Sequence, residues 1–158
     1  MDQEFQTMVE RYSAPLYRLA FSYLGNRQDA EDVLQEVFVQ FLRRRPVFSG
    51  EAQRRSWLMT VAANRCRDLL RSPWRRTVPL DEAQSLADDV PEGDGDVADA
   101  LAQLAPKDRA AVYLFYYEQL PTKEIAAILR MSDGAVRTRL SRARDRLKGL
   151  LGGGSDGE

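Results

Sequence analysis

The stretch PTKEIAAILRMSDGAVRTRLSRARDRLKGL, Pro121 to Leu150, reads as two helices joined by a tight turn. Thr122 stands where an N-cap belongs, and Ile125, Ile128 and Leu129 fall on one face of the first helix. Arg130-Met131 makes the turn, and Ser132 is placed to cap the second helix, its hydroxyl accepting from a free backbone N–H. In that helix Val136, Leu140, Ala143 and Leu147 recur at four, three and four residues, which makes one narrow apolar stripe. The opposite side carries Gly134, Arg137, Thr138, Ser141 and Arg142: small residues, hydroxyls and guanidinium groups. Between Asp133 and Lys148 six Arg or Lys stand against two Asp, a local charge of +4 in a chain whose total is −1. A short helix, a turn and a basic helix with one apolar stripe describe a helix-turn-helix able to enter the DNA major groove. A basic face that is only solvated would carry the same charge. The turn, the cap and the small Gly134, which lets a backbone come close to a phosphate or base, favour DNA.

At 158 residues the chain is long enough for one domain or two small ones, each with a core. No apolar run approaches the roughly 20 residues of a membrane span, and no signal-peptide pattern opens the chain, so a cytoplasmic protein without membrane insertion is expected. The single cysteine, Cys66, cannot form an internal disulfide, and with no histidine in the chain a zinc site or a histidine-based catalytic triad is excluded. No phosphate-cradling glycine loop or plausible carboxylate cluster is present; we therefore expect no catalytic residues, no metal, no cofactor and no enzymatic activity. The near-zero net charge hides segregation. Arg43 to Arg76 holds ten Arg and two acids, whereas Thr77 to Pro106 holds eight acids and no base. Polyanion-binding surfaces separated by an acidic segment are implied. Metal binding by those acids is the weaker alternative, because their spacing is irregular.

Outward from the quoted stretch, the rest of the chain is also helical in pattern. Residues 4 to 24 carry Phe5, Met8, Val9, Tyr12, Leu16, Leu19, Ala20 and Tyr23 at helical spacing. Pro15 inside that run predicts a kink, or a break near Ser13, and Gly25-Asn26 ends it. Arg27 to Arg44 is the cleanest helix: Ala30, Val33, Leu34, Val37, Phe38, Phe41 and Leu42 share one face, and Asp32, Gln35 and Glu36 point away. Asp29, Glu31 and Asp32 suit the positive end of the helix dipole, which leaves Gln35 and Glu36 unexplained. After a loop from Pro46 to Gln53, a third helix is predicted over Arg54 to Arg71, with Cys66 among its packing residues and Asn64, Arg65, Arg67, Asp68 and Arg71 off the apolar stripe. Residues 77–95 have the composition of a flexible acidic linker. Short helices over Val97 to Leu104 and from Pro106 to about Gln119 complete a four-helix C-terminal unit, and GGGSDGE ends the chain as a disordered tail. The expected protein is all-α, with helical domains over 1–76 and 96–151, a linker over 77–95 and a tail over 152–158.

Three motifs in order give the chain a family resemblance: DAEDVLQEVF (Asp29 to Phe38), WLMTVAANRCRDLLR (Trp57 to Arg71) and the helix-turn-helix from Pro121 to Leu147. Over about residues 4 to 150 it resembles a bacterial RNA polymerase sigma factor of the extracytoplasmic-function group, in the sigma-70 family. The resemblance implies a region 2-like domain that binds core polymerase and the minus-10 element, and a region 4-like domain that binds the minus-35 element. It implies that Asp32, Gln35 and Glu36 meet the clamp helices of the polymerase largest subunit. Asn64, Arg65, Asp68 and Arg71, with the loop from Arg45 to Arg55, would hold the melted minus-10 strand, where cations along a backbone and a pocket for an unstacked base are needed. On the minus-35 side Arg137, Thr138, Ser141 and Arg142 would reach the groove, with Arg144, Arg146 and Lys148 placed for phosphate contacts or solvation. Trp57 has two possible roles, stacking on a base and packing beside Leu58 and Val61, and its place in the apolar pattern favours packing.

The family usually has Gly where this chain has Arg130; a left-handed backbone there would cost Arg about 1 kcal/mol, unless a phosphate contact offsets it. The implied function is promoter-directed transcription initiation with assisted melting, with core RNA polymerase and promoter DNA as partners. An anti-sigma factor, often membrane-anchored in this group, is implied as a third. The rival is a stand-alone helix-turn-helix regulator, which has no need of a second basic region beside an acidic helix.

Overall fold

The computed structural model describes residues 2–72 and 95–150, and among them every regular element is helical. The segment expected as the linker lies outside the described residues except for Gly95, and so does the expected tail, 152–158. Three helices form the N-terminal unit: α1 (Gln3–Leu24), α2 (Arg27–Arg44) and α3 (Glu51–Leu70). The C-terminal unit has α4 (Gly95–Ala102), α5 (Pro106–Val112) running into a π-helical turn (Tyr113–Tyr117), α6 (Thr122–Leu129) and α7 (Asp133–Leu150).

Local signals explain most of the helix limits. Asp2 caps α1 by accepting from the Phe5 N–H, and Gly25 ends it in the left-handed conformation with its N–H on the Phe21 carbonyl. Asn26 then caps α2, accepting from the Asp29 N–H at 2.9 Å. Helix α1 runs through Pro15 without a break. The Ser13 hydroxyl donates to the Val9 carbonyl one turn earlier, and Tyr12, Leu16 and Leu19 are buried on both sides of the proline. Packing along the helix thus outweighs the loss of one backbone donor. Helix α3 starts at Glu51, three residues before the predicted Arg54, because Glu51 is anchored: its carboxylate accepts from the Tyr12 hydroxyl and pairs with Arg11 at 3.2 Å. Burial and this bond push the Tyr12 phenol up to about 12, while the same bond, with Arg11 beside it, holds the Glu51 carboxyl below its usual range.

The two units share one apolar core, in which Met8, Leu16, Leu19, Phe41, Leu58 and Met59 are continuous with Leu114, Ile125, Ile128 and Leu129. Polar ties across the junction are specific. Arg109 of α5 is only 3% exposed, and its guanidinium donates to the carbonyls of Ser22 at 2.6 Å, Tyr23 at 3.2 Å and Leu104 at 2.8 Å. The last carbonyls of a helix lack intrahelical partners and sit at its negative end, so a buried cation there both satisfies them and complements the dipole. Arg55 of α3 makes a forked pair with Glu124 of α6 at 3.0–3.2 Å. The Tyr113 hydroxyl bonds Glu118 and lies 3.3 Å from the Pro15 carbonyl, while the Arg18 guanidinium sits 5.0 Å from the Tyr117 ring centre.

Replacing Arg109 by Met keeps the stem's packing and strips three carbonyls of their donor. Urea melts should show a loss of about 3 kcal/mol, and Arg109→Lys should recover it only in part, since an ammonium lacks the planar fork. A loss below about 0.5 kcal/mol would mean that water replaces the guanidinium without cost.

Candidate functional site

The helix-turn-helix forms as α6 and α7. Ser132 caps α7 as expected, accepting from the Ala135 N–H at 3.0 Å. Thr122 is not the N-cap of α6: Pro121 holds that position without a side-chain bond, and Thr122 is the first helical residue. Arg130 adopts the left-handed conformation at φ 58°, its N–H on the Ala126 carbonyl, so the strain expected of a non-glycine residue there is present. Val136, Leu140 and Ala143 are buried and Leu147 half-buried, which turns Arg137, Thr138, Ser141 and Arg142 outward, all exposed. Arg137 lies along the helix start, paired with Asp133 one turn back at 2.8 Å. Gly134 is exposed beside it, and a Cβ built there meets nothing within 4 Å, so internal packing does not require glycine at this position. Arg144, Arg146 and Lys148 are exposed and form no ion pair among the described residues. Arg139, counted in the local charge but given no role, pairs with Asp108 at 2.7 Å and fixes α7 to α5.

On the N-terminal unit, a groove of about 490 Å³ between α2 and α3 brings together Glu36, Asn64, Arg65 and Asp68. Gln40, Arg44, Thr60 and Val61 complete its walls, residues to which the sequence alone assigned no site role. Their helix periodicity is visible in the sequence, but the pairing of two helices is not. A ladder runs along α2: Arg44 donates to Gln40 at 3.1 Å, and Gln40 donates to Glu36 at 2.9 Å. Asp32 and Gln35 lie further along α2, exposed, with Asp32 accepting from Gln28 at 3.2 Å. Trp57 is half-buried, packed edge-on to Phe41 and tilted on Phe48, and it also lines the groove. Arg71 is outside this groove. It reaches back to Asp68 at 3.3 Å and lines a second cavity at the junction of the units.

The arginine-rich loop is more engaged than its charge count implied. Arg45, left-handed at φ 44°, pairs with Asp2 and lies over the Phe41 ring. Arg54 pairs with Glu4 at 3.1 Å and lies over Phe48, and Arg55 is held by Glu124. Between them Val47 is 94% exposed, an apolar side chain at the loop's tip that periodicity could not single out. Cys66 is fully buried and its thiol pushed up by burial, in keeping with packing.

The two helical units correspond to the two parts of a sigma-70 protein: sigma-70 region 2 matches residues 8–76 and sigma-70 region 4 matches residues 94–147. The chain is 32% identical to the extracytoplasmic-function (ECF) RNA polymerase sigma factor SigM of Mycobacterium tuberculosis, over 94% of this chain and 77% of that one. To the RNA polymerase sigma factor CarQ of Myxococcus xanthus it is 33% identical, over 94% and 89%. Among solved structures, CnrH in complex with the cytosolic domain of CnrY superposes with a TM-score of 0.68 at 28% identity, covering 95% of this chain and 89% of that one. The fold is likewise that of Bartonella quintana RpoE, solved in complex with the anti-sigma factor NepR, with a TM-score of 0.74 at 22% identity over 95% and 98% of the chains. The chain belongs to the ECF RNA polymerase sigma factors, which direct core polymerase to specific promoters at initiation. The stand-alone regulator is not favoured. Among the described residues no helix is long and apolar enough to cross a membrane.

The left-handed Arg130 gives a clean test of local strain. Arg130→Gly should raise the stability of the full chain by about 1 kcal/mol in denaturant melts. An unchanged or lowered midpoint would show that the Arg130 side chain contributes at least what its backbone costs.

Proposed function

We propose that the exposed face of α7 reads the minus-35 element while the α2–α3 groove serves both the polymerase and the melted minus-10 strand. The observation that carries this is the arrangement of α7. One side is buried on α5 and α6, and the other presents Arg137, Thr138, Ser141 and Arg142 with no large apolar group. A recognition helix enters the groove N-terminus first, so Arg137, near the start and beside an open glycine, is placed for a base edge. Arg144, Arg146 and Lys148, further along and with no ion pair among the described residues, suit phosphates. On α2, Asp32, Gln35 and Glu36 offer the clamp helices one acidic, hydrogen-bonding face. Asn64, Arg65 and Asp68 give the groove donors and acceptors for an unstacked base, and Arg71 supports Asp68 from the next turn. The chain acts in the cytoplasm and performs no covalent chemistry of its own. Because the structural relatives are held in complexes with NepR, an anti-sigma factor, and with the cytosolic domain of CnrY, an anti-sigma protein of that kind is the proposed regulator here.

The polymerase face is tested by changing Asp32, Gln35 and Glu36 together to Ala. Helicity and melting temperature should stay close to wild type, while affinity for core polymerase falls by several kcal/mol. Undiminished binding would leave this face without a role. The reading face is tested by selection from promoters randomised in the minus-35 element, using holoenzyme at several salt concentrations. Arg137→Ala should change the preferred sequence, costing about 1–3 kcal/mol at the best site. Arg146→Ala should weaken all sequences alike and flatten the salt dependence by up to about one unit of slope. The reverse assignment of effects would mean that α7 docks in another orientation.

A further inference from the structure

Where the C-terminal ends of α1 and α3 meet the start of α5 and the body of α7, a cavity of about 360 Å³ opens. Four cations line it, Arg67 and Arg71 from α3, Lys107 from α5 and Arg139 from α7, and among the described residues no carboxylate does. Two of the four are compensated from outside the cavity, Arg71 by Asp68 and Arg139 by Asp108. The other two are not. Lys107 forms no ion pair among the described residues, and Arg67 has only the Asn64 side-chain oxygen, which its Nη2 meets at 3.0 Å.

The polar atoms in the wall sharpen this imbalance. Arg67 Nη1 is buried and has no hydrogen-bond acceptor among the described residues. The Tyr23 side chain is fully buried, and its hydroxyl likewise lacks a partner. Burial holds that phenol above its ordinary range, so it stays protonated and able to donate. A buried donor without an acceptor carries its whole desolvation penalty, and the penalty is larger for a charged group. Here an uncharged and a charged one stand in the same wall, beside an unpaired ammonium. What fits is an acceptor with several oxygens and more than one negative charge, approached from more than one side.

We propose that this junction cavity binds a phosphate-bearing small molecule, whose oxygens are held by Lys107 and the surrounding guanidinium groups and, after a small side-chain shift, by the buried donors of Arg67 and Tyr23, thereby tying α3 to α5. Phosphate suits the donor set because its oxygens are strong acceptors in several directions and guanidinium matches its geometry. The cavity lies within the range of small-molecule sites, about 300–1,000 Å³, and is larger than one phosphate group needs. Leu70 and Pro106 line the remainder, which gives an apolar surface for a nucleoside or sugar body. The site lies apart from the α2–α3 groove and from the reading face of α7 and shares only Arg71 with the minus-10 assignment, so a test through Lys107 and Arg67 reads it separately from the promoter assignments. Because its cations come from both units, occupancy favours their packed arrangement.

The test is calorimetric titration of the full chain with inorganic phosphate, pyrophosphate and ATP, each at matched ionic strength, with thermal melts alongside. The expected result is one saturable site for pyrophosphate or ATP with a rise in melting temperature. Lys107→Ala and Arg67→Met should each weaken it by about ten-fold or more, and Tyr23→Phe by a smaller factor. Arg43→Ala, which removes an exposed cation of α2 elsewhere on the surface, should leave it unchanged. Lys107 is only half-buried and unpaired, so its variant keeps the test decisive even if Arg67→Met perturbs folding. A duplex of non-promoter sequence provides the last arm. If no probe saturates by about 10 mM, or if Arg43→Ala weakens binding as much as Lys107→Ala, the proposal fails. It fails equally if only the duplex binds through Lys107, since the cavity would then be one more contact to the DNA backbone.

Discussion

A buried guanidinium at the end of α1 is the interaction on which the arrangement of this molecule depends. Helix α1 touches every other helix of its own unit, and its last turn would end in unsatisfied carbonyls beneath the second unit. Arg109 supplies donors to two of those carbonyls and to Leu104 of its own unit, so a single side chain closes three acceptors and crosses the junction. Burying a charge without such partners would cost far more than the packing returns. The helix dipole and three hydrogen bonds together make the position tolerable, and the apolar core can then run unbroken from Leu16 to Ile128.

The helices themselves were legible because each rests on signals within a few residues. Arg27 and Arg44 are the predicted and observed limits of α2, where Asn26 precedes an apolar face of unbroken period. Ser132 capped α7 as its spacing implied. The departures occur where a distant partner decides. Helix α3 gained a turn because Tyr12 and Arg11, some forty positions earlier, hold Glu51. Helix α1 ignored Pro15 because the residues on either side are buried together. Arg109 itself gave no signal, since within PKDRAAV it has the look of any solvated cation of a short helix.

The same division runs through the functional surfaces. Which residues of α2 and α7 face outward follows from a period of 3.6, and Asp32, Gln35, Arg137 and Ser141 are exposed as that period requires. Which residues of different helices share a concavity does not follow from it. Glu36 and Asn64 meet in one groove only because α2 and α3 pack at that register, and Arg71, one turn beyond Asp68, falls on the other side of the helix end. Pairing was equally hidden: Arg55 and Glu124 are 69 positions apart, in segments that composition assigned to separate domains.

Charge alone is therefore a poor guide to which cations stand ready for nucleic acid. The charge count around the Arg45 to Arg55 loop points to a polyanion surface, yet Arg45, Arg54 and Arg55 already face Asp2, Glu4 and Glu124. Such partly exposed pairs contribute only about 0–1 kcal/mol each, so a phosphate can displace the carboxylate at little cost in stability. What changes is the thermodynamic signature. A cation that trades a carboxylate for a phosphate leaves a carboxylate to be re-solvated, which offsets part of the gain from the counterions released by the DNA. Arg142, Arg144, Arg146 and Lys148 of α7, which form no ion pair among the described residues, carry no such offset. Long-range attraction to duplex DNA should accordingly come from α7, while the loop, its charges partly neutralised at home, engages only a strand already brought close enough to compete for its arginines.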